Sequence, residues 1–168
     1  VRMHRSMIEL ERLVSEVEKD IETMLNPFEE IAILASLAGL GLIGCATLVA
    51  FLGDISDFDT AEQLVSFVGL SPRVNQSGNQ SHTGSISKQG NSLIRKMLVQ
   101  SVWVMVRYQY HNAVLNHYEN VKKRRGKGRA VVAAARKMMV IIFNMLKKKQ
   151  LFKDADTAMY KRKLKQFH

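Results

Sequence analysis

The sequence predicts a mainly α fold. Apolar residues recur every three or four positions through both halves of the chain, a charge-free Ala/Gly-rich run lies between them, and one polar stretch interrupts the helical pattern. With 168 residues, 46% of them hydrophobic, the chain is long enough to bury a core of its own, and its composition argues against disorder. The expected order is an N-terminal coiled-coil-like helix, a helix-hairpin-helix pair, a polar loop or short hairpin, and two long helices. Three segments follow: a coiled-coil or linker helix over 1–28, a C-terminal domain with the helix-hairpin-helix pair and the polar loop over 29–150, and a basic tail over 151–168.

The first helix is read from Met3, Met7, Leu10, Val14, Val17, Ile21, Met24 and Phe28, which alternate in steps of four and three. That spacing is a heptad seam, and Glu9, Glu11, Arg12, Glu16, Glu18, Lys19 and Asp20 between its members suit a solvated helix with one stripe for a partner. An amphipathic helix folded back on its own domain fits the same pattern. Pro27 is expected near the end of this helix.

From Ile31 to Gly53 no charged residue occurs, a length that a bilayer span also has. The run is broken by Gly39-Leu40-Gly41 and flanked by Glu29, Glu30 and Asp54 instead of Lys or Arg, so two short buried helices fit better, about Phe28 to Ala38 and Leu42 to Leu52. A tight turn at Gly39 and Gly41 would join them, with glycine required for the backbone. Such a hairpin can offer backbone N–H groups to a DNA phosphate without reading sequence, and it can equally be a packing corner. Next, Asp59 and Glu62 have capping-box spacing for a helix over Ala61 to Val68, which Gly69-Leu70-Ser71-Pro72 ends.

Arg73 to Gln89 is almost wholly polar, with Val74 and Ile86 as its apolar anchors. Two long helices follow, about Asn91 to Lys122 and Arg129 to Lys149, separated by the basic break Lys122-Lys123-Arg124-Arg125-Gly126-Lys127-Gly128-Arg129. The tail beyond Leu151 is read as frayed or helical.

A net charge of +10, from 25 Lys and Arg against 15 Asp and Glu, points to a polyanionic partner, with nucleic acid ahead of a membrane surface. The lone Cys45 excludes an internal disulfide framework and reads as a small core residue, in keeping with a reducing compartment. Polar loops between firm helices usually carry function. Ser77, in Gln76-Ser77-Gly78, has the least crowded hydroxyl of the loop, and Arg73, Lys88, Arg95 and Lys96 around it suit a phosphodiester. Asn91 joins them as a candidate nucleic-acid contact, as do Lys122, Lys123, Arg124, Arg125, Lys127 and Arg129. His82 is a weak candidate base; His111 and His117 lie off one helical face and make poor metal ligands. Trp103, Tyr108 and Tyr110 suit packing better than base stacking, and Asp54, Asp57 and Asp59 read as helix-start residues, so no metal site is expected.

Taken in order, Leu37-Ala38-Gly39-Leu40-Gly41 with Ala46 and Leu48, Gly69-Leu70-Ser71-Pro72, Gln76-Ser77-Gly78, Ile86-Ser87-Lys88-Gln89-Gly90-Asn91 and Leu93-Ile94-Arg95-Lys96-Met97-Leu98 resemble the C-terminal domain of insertion sequence 110/116/902 family transposases. Gly126-Lys127 and Arg136-Lys137 extend the match, which runs from about Ile31 to Lys149. The resemblance implies an RNA-guided DNA recombinase in which Ser77 is the nucleophile and forms a phosphoserine link to DNA. It further implies a preceding domain whose carboxylates bind Mg2+, a homodimer or tetramer, DNA and a guide RNA as partners, and the cytoplasm of a prokaryotic cell, with no membrane. The chain opens at Val1 and reads as a C-terminal fragment, inactive alone and holding no cofactor itself. A non-catalytic helix-hairpin-helix DNA-binding module is the alternative, with a membrane-anchored coiled coil a distant third.

Overall fold

The computed structural model describes residues 2–25, 28–77 and 80–166, with the backbone alone for 2, 25, 73–77, 80–85 and 166. Its elements in order are α1 (Arg2–Leu25), α2 (Glu29–Ala35), α3 (Leu42–Leu52), a 3-10 turn (Ile55–Asp57), α4 (Ala61–Val68), β1 (Pro72–Ser77), β2 (Gln80–Ile86), α5 (Ser92–Tyr108), α6 (Ala113–Lys148) and α7 (Thr157–Gln166). The architecture is mainly α, as expected, and the polar stretch expected as a loop or short hairpin is an antiparallel β-hairpin. Leu34, Leu37, Leu40, Leu48, Leu64, Ile94, Leu98, Met105, Tyr118, Met138 and Met139 are fully buried and join α2 to α6 in one core. Each such side chain contributes about 1.5–3 kcal/mol.

The helix expected to reach Ala38 stops at Ala35. Buried Ser36 turns the chain there: its hydroxyl donates to the Ile33 carbonyl at 2.6 Å and accepts the Phe152 N–H at 2.8 Å. In the turn that follows, the demand for glycine sits at Gly39, where φ is +82° and a Cβ would overlap the Ser101 carbonyl of α5. Gly41 is extended, with φ −91°, and a Cβ there meets nothing, so the expectation that both glycines are needed is corrected. The capping box also lies one residue later than Asp59 and Glu62. Thr60 accepts the Gln63 N–H at 3.3 Å while the Gln63 amide oxygen accepts the Asp59 N–H at 2.7 Å.

The helix expected from Asn91 to Lys122 is two helices. It ends at Tyr108, Gln109 takes a left-handed φ of 52°, and buried Asn112 accepts the N–H groups of Val114 (2.9 Å) and Leu115 (3.0 Å) to start α6. Conversely, the basic stretch expected as a break is helical on both sides of a single non-helical residue, Gly126, with φ +76° and ψ 170°. The chain reverses there. A straight helix of 36 residues would be about 54 Å long. The Ala113 N–H nevertheless donates at 3.1 Å to the Asp154 carboxylate, a residue that six further positions carry at most about 20 Å back from Lys148. The limbs 113–125 and 127–148 therefore fold back toward one another at Gly126 as a bent helical hairpin, with the basic stretch at its corner.

The segment 151–168, expected as a tail, is tied to the core. Phe152 is buried, and the Lys163 ammonium of α7 donates to the Ala35 (3.0 Å) and Leu37 (2.8 Å) carbonyls that α2 leaves unpaired at its end. Burial pushes the Lys163 ammonium down to about 8 and the nearby Cys45 thiol up to about 12.

Candidate nucleic-acid interface

The β-hairpin leaves the core between α4 and α5. Its ladder runs from Pro72 opposite Ile86, through an irregularity before Val74 opposite Thr83, to Ser77 opposite Gln80. At about 3.3 Å per residue, Ser77 stands some 17 Å along β1 from Pro72, at the end remote from the scaffold. The side chains of Ser77, Arg73 and His82 lie outside the described residues.

The feet of this hairpin are tightly built. The N–H of Ser87 donates to the Ser71 carbonyl at 2.8 Å and that of Lys88 to the Gly69 carbonyl at 3.2 Å. The hydroxyls of Ser66 and Ser71 share a 2.7 Å hydrogen bond. Gly69 and Gly90 pass so close to the opposite foot that a Cβ on either would overlap a carbonyl oxygen, that of Gln89 or that of Phe67. Across the gap, Arg95 donates through Nη1 to the Val68 carbonyl at 3.0 Å and the Gly90 carbonyl at 2.9 Å. Asn91 caps α5 by accepting the Leu93 N–H at 2.7 Å. Of the cations expected around the serine, Lys88 and Lys96 are exposed, while Arg95 spans the two feet. Sequence reasoning missed this clamp, although Gly69 and Gly90 do bracket the polar stretch.

A second cationic locus is the α6 corner. Lys123, Arg124, Arg125, Lys127 and Arg129 are exposed there, and Lys122 pairs with Glu119 at 3.0 Å and lies 5.5 Å above the Tyr118 ring. Gly128 is helical and a Cβ on it would meet nothing. Packing gives it no reason to be glycine, which costs about 1 kcal/mol against alanine in a helix and leaves the backbone open to close approach. His117 on the first limb is held below its ordinary pKa by partial burial and then by the charges of Lys137 and Arg124, so it is neutral near pH 7.

The remaining candidates make contacts within the chain, though Tyr108 stays 62% and Trp103 38% exposed. Trp103 meets Tyr118 edge-on with centroids 6.1 Å apart, and Tyr108 and Tyr110 pair at 6.1 Å. Cys45 is buried. Asp54 accepts the Ser56 N–H at 2.7 Å, which holds its carboxyl below the usual range, and Asp59 accepts from the Gln63 amide at 3.4 Å. Among the described residues no three His, Cys, Asp or Glu side chains gather where they could hold a metal ion. Nor is any described helix long and apolar enough to cross a membrane.

Comparison with known proteins narrows what this arrangement serves. The model of the Transposase IS116/IS110/IS902 family matches residues 31–119, from α2 through the β-hairpin into the first limb of α6. The chain is similar to the transposase for insertion sequence element IS1111A of Coxiella burnetii, 26% identical over 153 residues that cover 90% of this chain and 42% of that one. It is 33% identical over 116 residues to the putative transposase y4rJ of Sinorhizobium fredii, covering 67% of this chain and 29% of the relative. It is also 26% identical over 145 residues to the pilin gene-inverting protein of Moraxella lacunata, covering 83% and 45% of the two chains. The chain thus spans less than half the length of these curated relatives.

Proposed function

Because this chain belongs to the IS116/IS110/IS902 transposase family, we propose that it is the strand-exchanging part of a DNA transposase, with Ser77 as its nucleophile. The observation that carries this reading is the position of Ser77 inside the family-matched segment, at the end of β1 remote from the scaffold. In the proposed step the Ser77 oxygen forms a bond to a backbone phosphorus of DNA, and the bond from that phosphorus to one deoxyribose oxygen breaks. The serine proton ends on the released deoxyribose hydroxyl. The number of phosphoester bonds is unchanged, so a second strand's hydroxyl can reverse the step and complete an exchange.

Mg2+ and the carboxylates that hold it are assigned to a separate N-terminal domain, where the metal would stabilise charge on the phosphate. This part alone is therefore inactive. The cations of the α6 corner, with the glycine-exposed backbone beside them, suit the phosphodiester backbone of DNA without reading its bases. Choice of site is assigned to a guide RNA. Most of the heptad seam of α1 lies open, with Met3 83% and Met24 72% exposed and Ile21 half-buried where α1 meets α3, and the partner of the open part in this reading is α1 of a second copy. The cytoplasm of a bacterial cell, where the DNA is, is the proposed setting.

A second reading keeps the DNA and drops the chemistry: the exposed Gly41 at the start of α3 would offer its N–H groups to a phosphate. Glu18 and Glu22 line the same open groove as Gly41 together with Lys19 and Lys163, so the charged groups there balance and give an anion no net attraction. One substitution separates the two. In the full-length protein with DNA and magnesium, Ser77→Ala should lower recombination by roughly 10^3-fold or more and abolish the covalent protein–DNA band on a denaturing gel, with DNA affinity kept within about twofold. A covalent band that persists would overturn the nucleophile and leave the binding module. Cleavage by the isolated 168-residue chain would overturn the assignment of the metal to another domain.

A further inference from the structure

We propose that Arg95 is the positioning residue of the β-hairpin: by holding the Val68 and Gly90 carbonyls together it sets the direction in which β1 and β2 leave the core, and with it the place of Ser77. The inference rests on the proposed role of Ser77 for its effect on activity and on geometry alone for its effect on the hairpin. A two-stranded hairpin is marginally stable by itself in water, so what holds its feet bears on its direction. At the feet, Ile86 of β2 packs against the buried core. The backbone bonds from Ser87 and Lys88 fix which residues face each other there.

The guanidinium adds a bond to each foot. Its Nη1 reaches one carbonyl on each side, Val68 before β1 and Gly90 after β2, from a side chain rooted in the rigid helix α5. Gly69 and Gly90 make the closeness feasible, since either Cβ would force the feet apart. The geometry is that of one cation joining two strands' ends, and a lysine, with a single ammonium on a flexible stem, reproduces it only in part. Because the hairpin is a lever with Ser77 at its far end, a small tilt at the feet becomes a displacement of ångströms at the hydroxyl. A misplacement of about 1 Å is enough to cost a reaction on the order of 10^2-fold.

The test uses the full-length protein with DNA and magnesium, comparing Arg95→Met and Arg95→Lys with the parent. Spin labels at Gln80→Cys on the hairpin and Lys137→Cys on α6 report the hairpin's direction without reference to activity; buried Cys45 stays unlabelled. The parent should give one narrow distance distribution, Arg95→Met one about twice as broad, and Arg95→Lys an intermediate width. Recombination should fall about 10^2-fold in Arg95→Met and be partly rescued in Arg95→Lys. DNA affinity and its salt dependence should match the parent. If Arg95→Met instead flattens the salt dependence by about one phosphate contact with an unchanged distance distribution, Arg95 touches DNA and the proposal is overturned. Unchanged recombination and distances overturn it too, and should Arg95→Met fail to fold, Arg95→Lys gives the same reading. A broadened distribution in a protein whose Ser77→Ala variant recombines normally keeps the clamp and discards the nucleophile.

Discussion

The β1–β2 hairpin leaves the core by its feet, whereas both limbs of α6 are part of that core, and the two are held in different ways. The limbs of α6 bury Val114, Leu115, Tyr118 and Val121 on one side and Ala130, Ala134, Ala135, Met138 and Met139 on the other, so apolar packing runs along most of their length. The described bonds of the β-hairpin are its ladder and those at its feet. A helix packed on the core along its length can carry a dense positive corner against its own repulsion, because many buried contacts oppose it. A polar arm cannot support itself, but its far end can be aimed from its base. The difference teaches where control lies: along the length of one arm, and at the root of the other.

The largest expected effect breaks the contrast if it fails. Met138→Ala, which empties a fully buried site on the second limb, should cost about 2–5 kcal/mol in urea unfolding, while replacing 75–82 by an equally long Gly/Ser segment should cost under about 1 kcal/mol. Equal costs would mean that the β-hairpin is part of the core. A smaller effect concerns Lys163, which bridges two carbonyls as Arg95 does. Its folded-state pKa of about 8 lies below the ordinary 10.5, so the unfolded chain holds the proton more tightly and stability should rise as pH climbs above 8. Cys45, raised from 9.0 to about 12, acts in the opposite sense above pH 9. Between pH 8 and 9 the parent should therefore gain about 1 kcal/mol that Lys163→Met does not. A flat profile would show that polar clamps in this fold cost no desolvation. The smallest effect sharpens the functional side of the comparison. Arg124→Gln or Arg125→Gln should each lower the salt slope of DNA binding by about one contact, roughly a fourfold change in affinity between low and moderate salt, with melting unchanged.

Much of the helical framework was legible. The helices at Leu42–Leu52 and Ala61–Val68 fall on the residues predicted, since glycines and a proline bound both apolar runs. Asn112 escaped notice because His111-Asn112 sits inside a continuing amphipathic pattern, and only the folded chain shows its carbonyl oxygen capping two N–H groups. Gly126 was visible as a break, but its neighbours are helical because both limbs bury apolar residues in the core, which is a tertiary effect. The β-hairpin had a signal, the Gly78-Asn79 pair, and lacked the other, since its arms do not alternate apolar with polar residues. Ser77 was singled out by its glycine neighbour and by resemblance. Arg95 was read as a phosphate contact because a sequence shows that a cation is near a loop and not which carbonyls come within its reach.

The single-residue corner at Gly126 has an evolutionary consequence. With no loop between them, the two limbs of α6 are geared together: one residue inserted beside Gly126 would rotate the second limb by about 100° about its own axis and carry Ala134 and Met138 out of the interior. Length variation among descendants of this chain should thus be excluded from the basic corner.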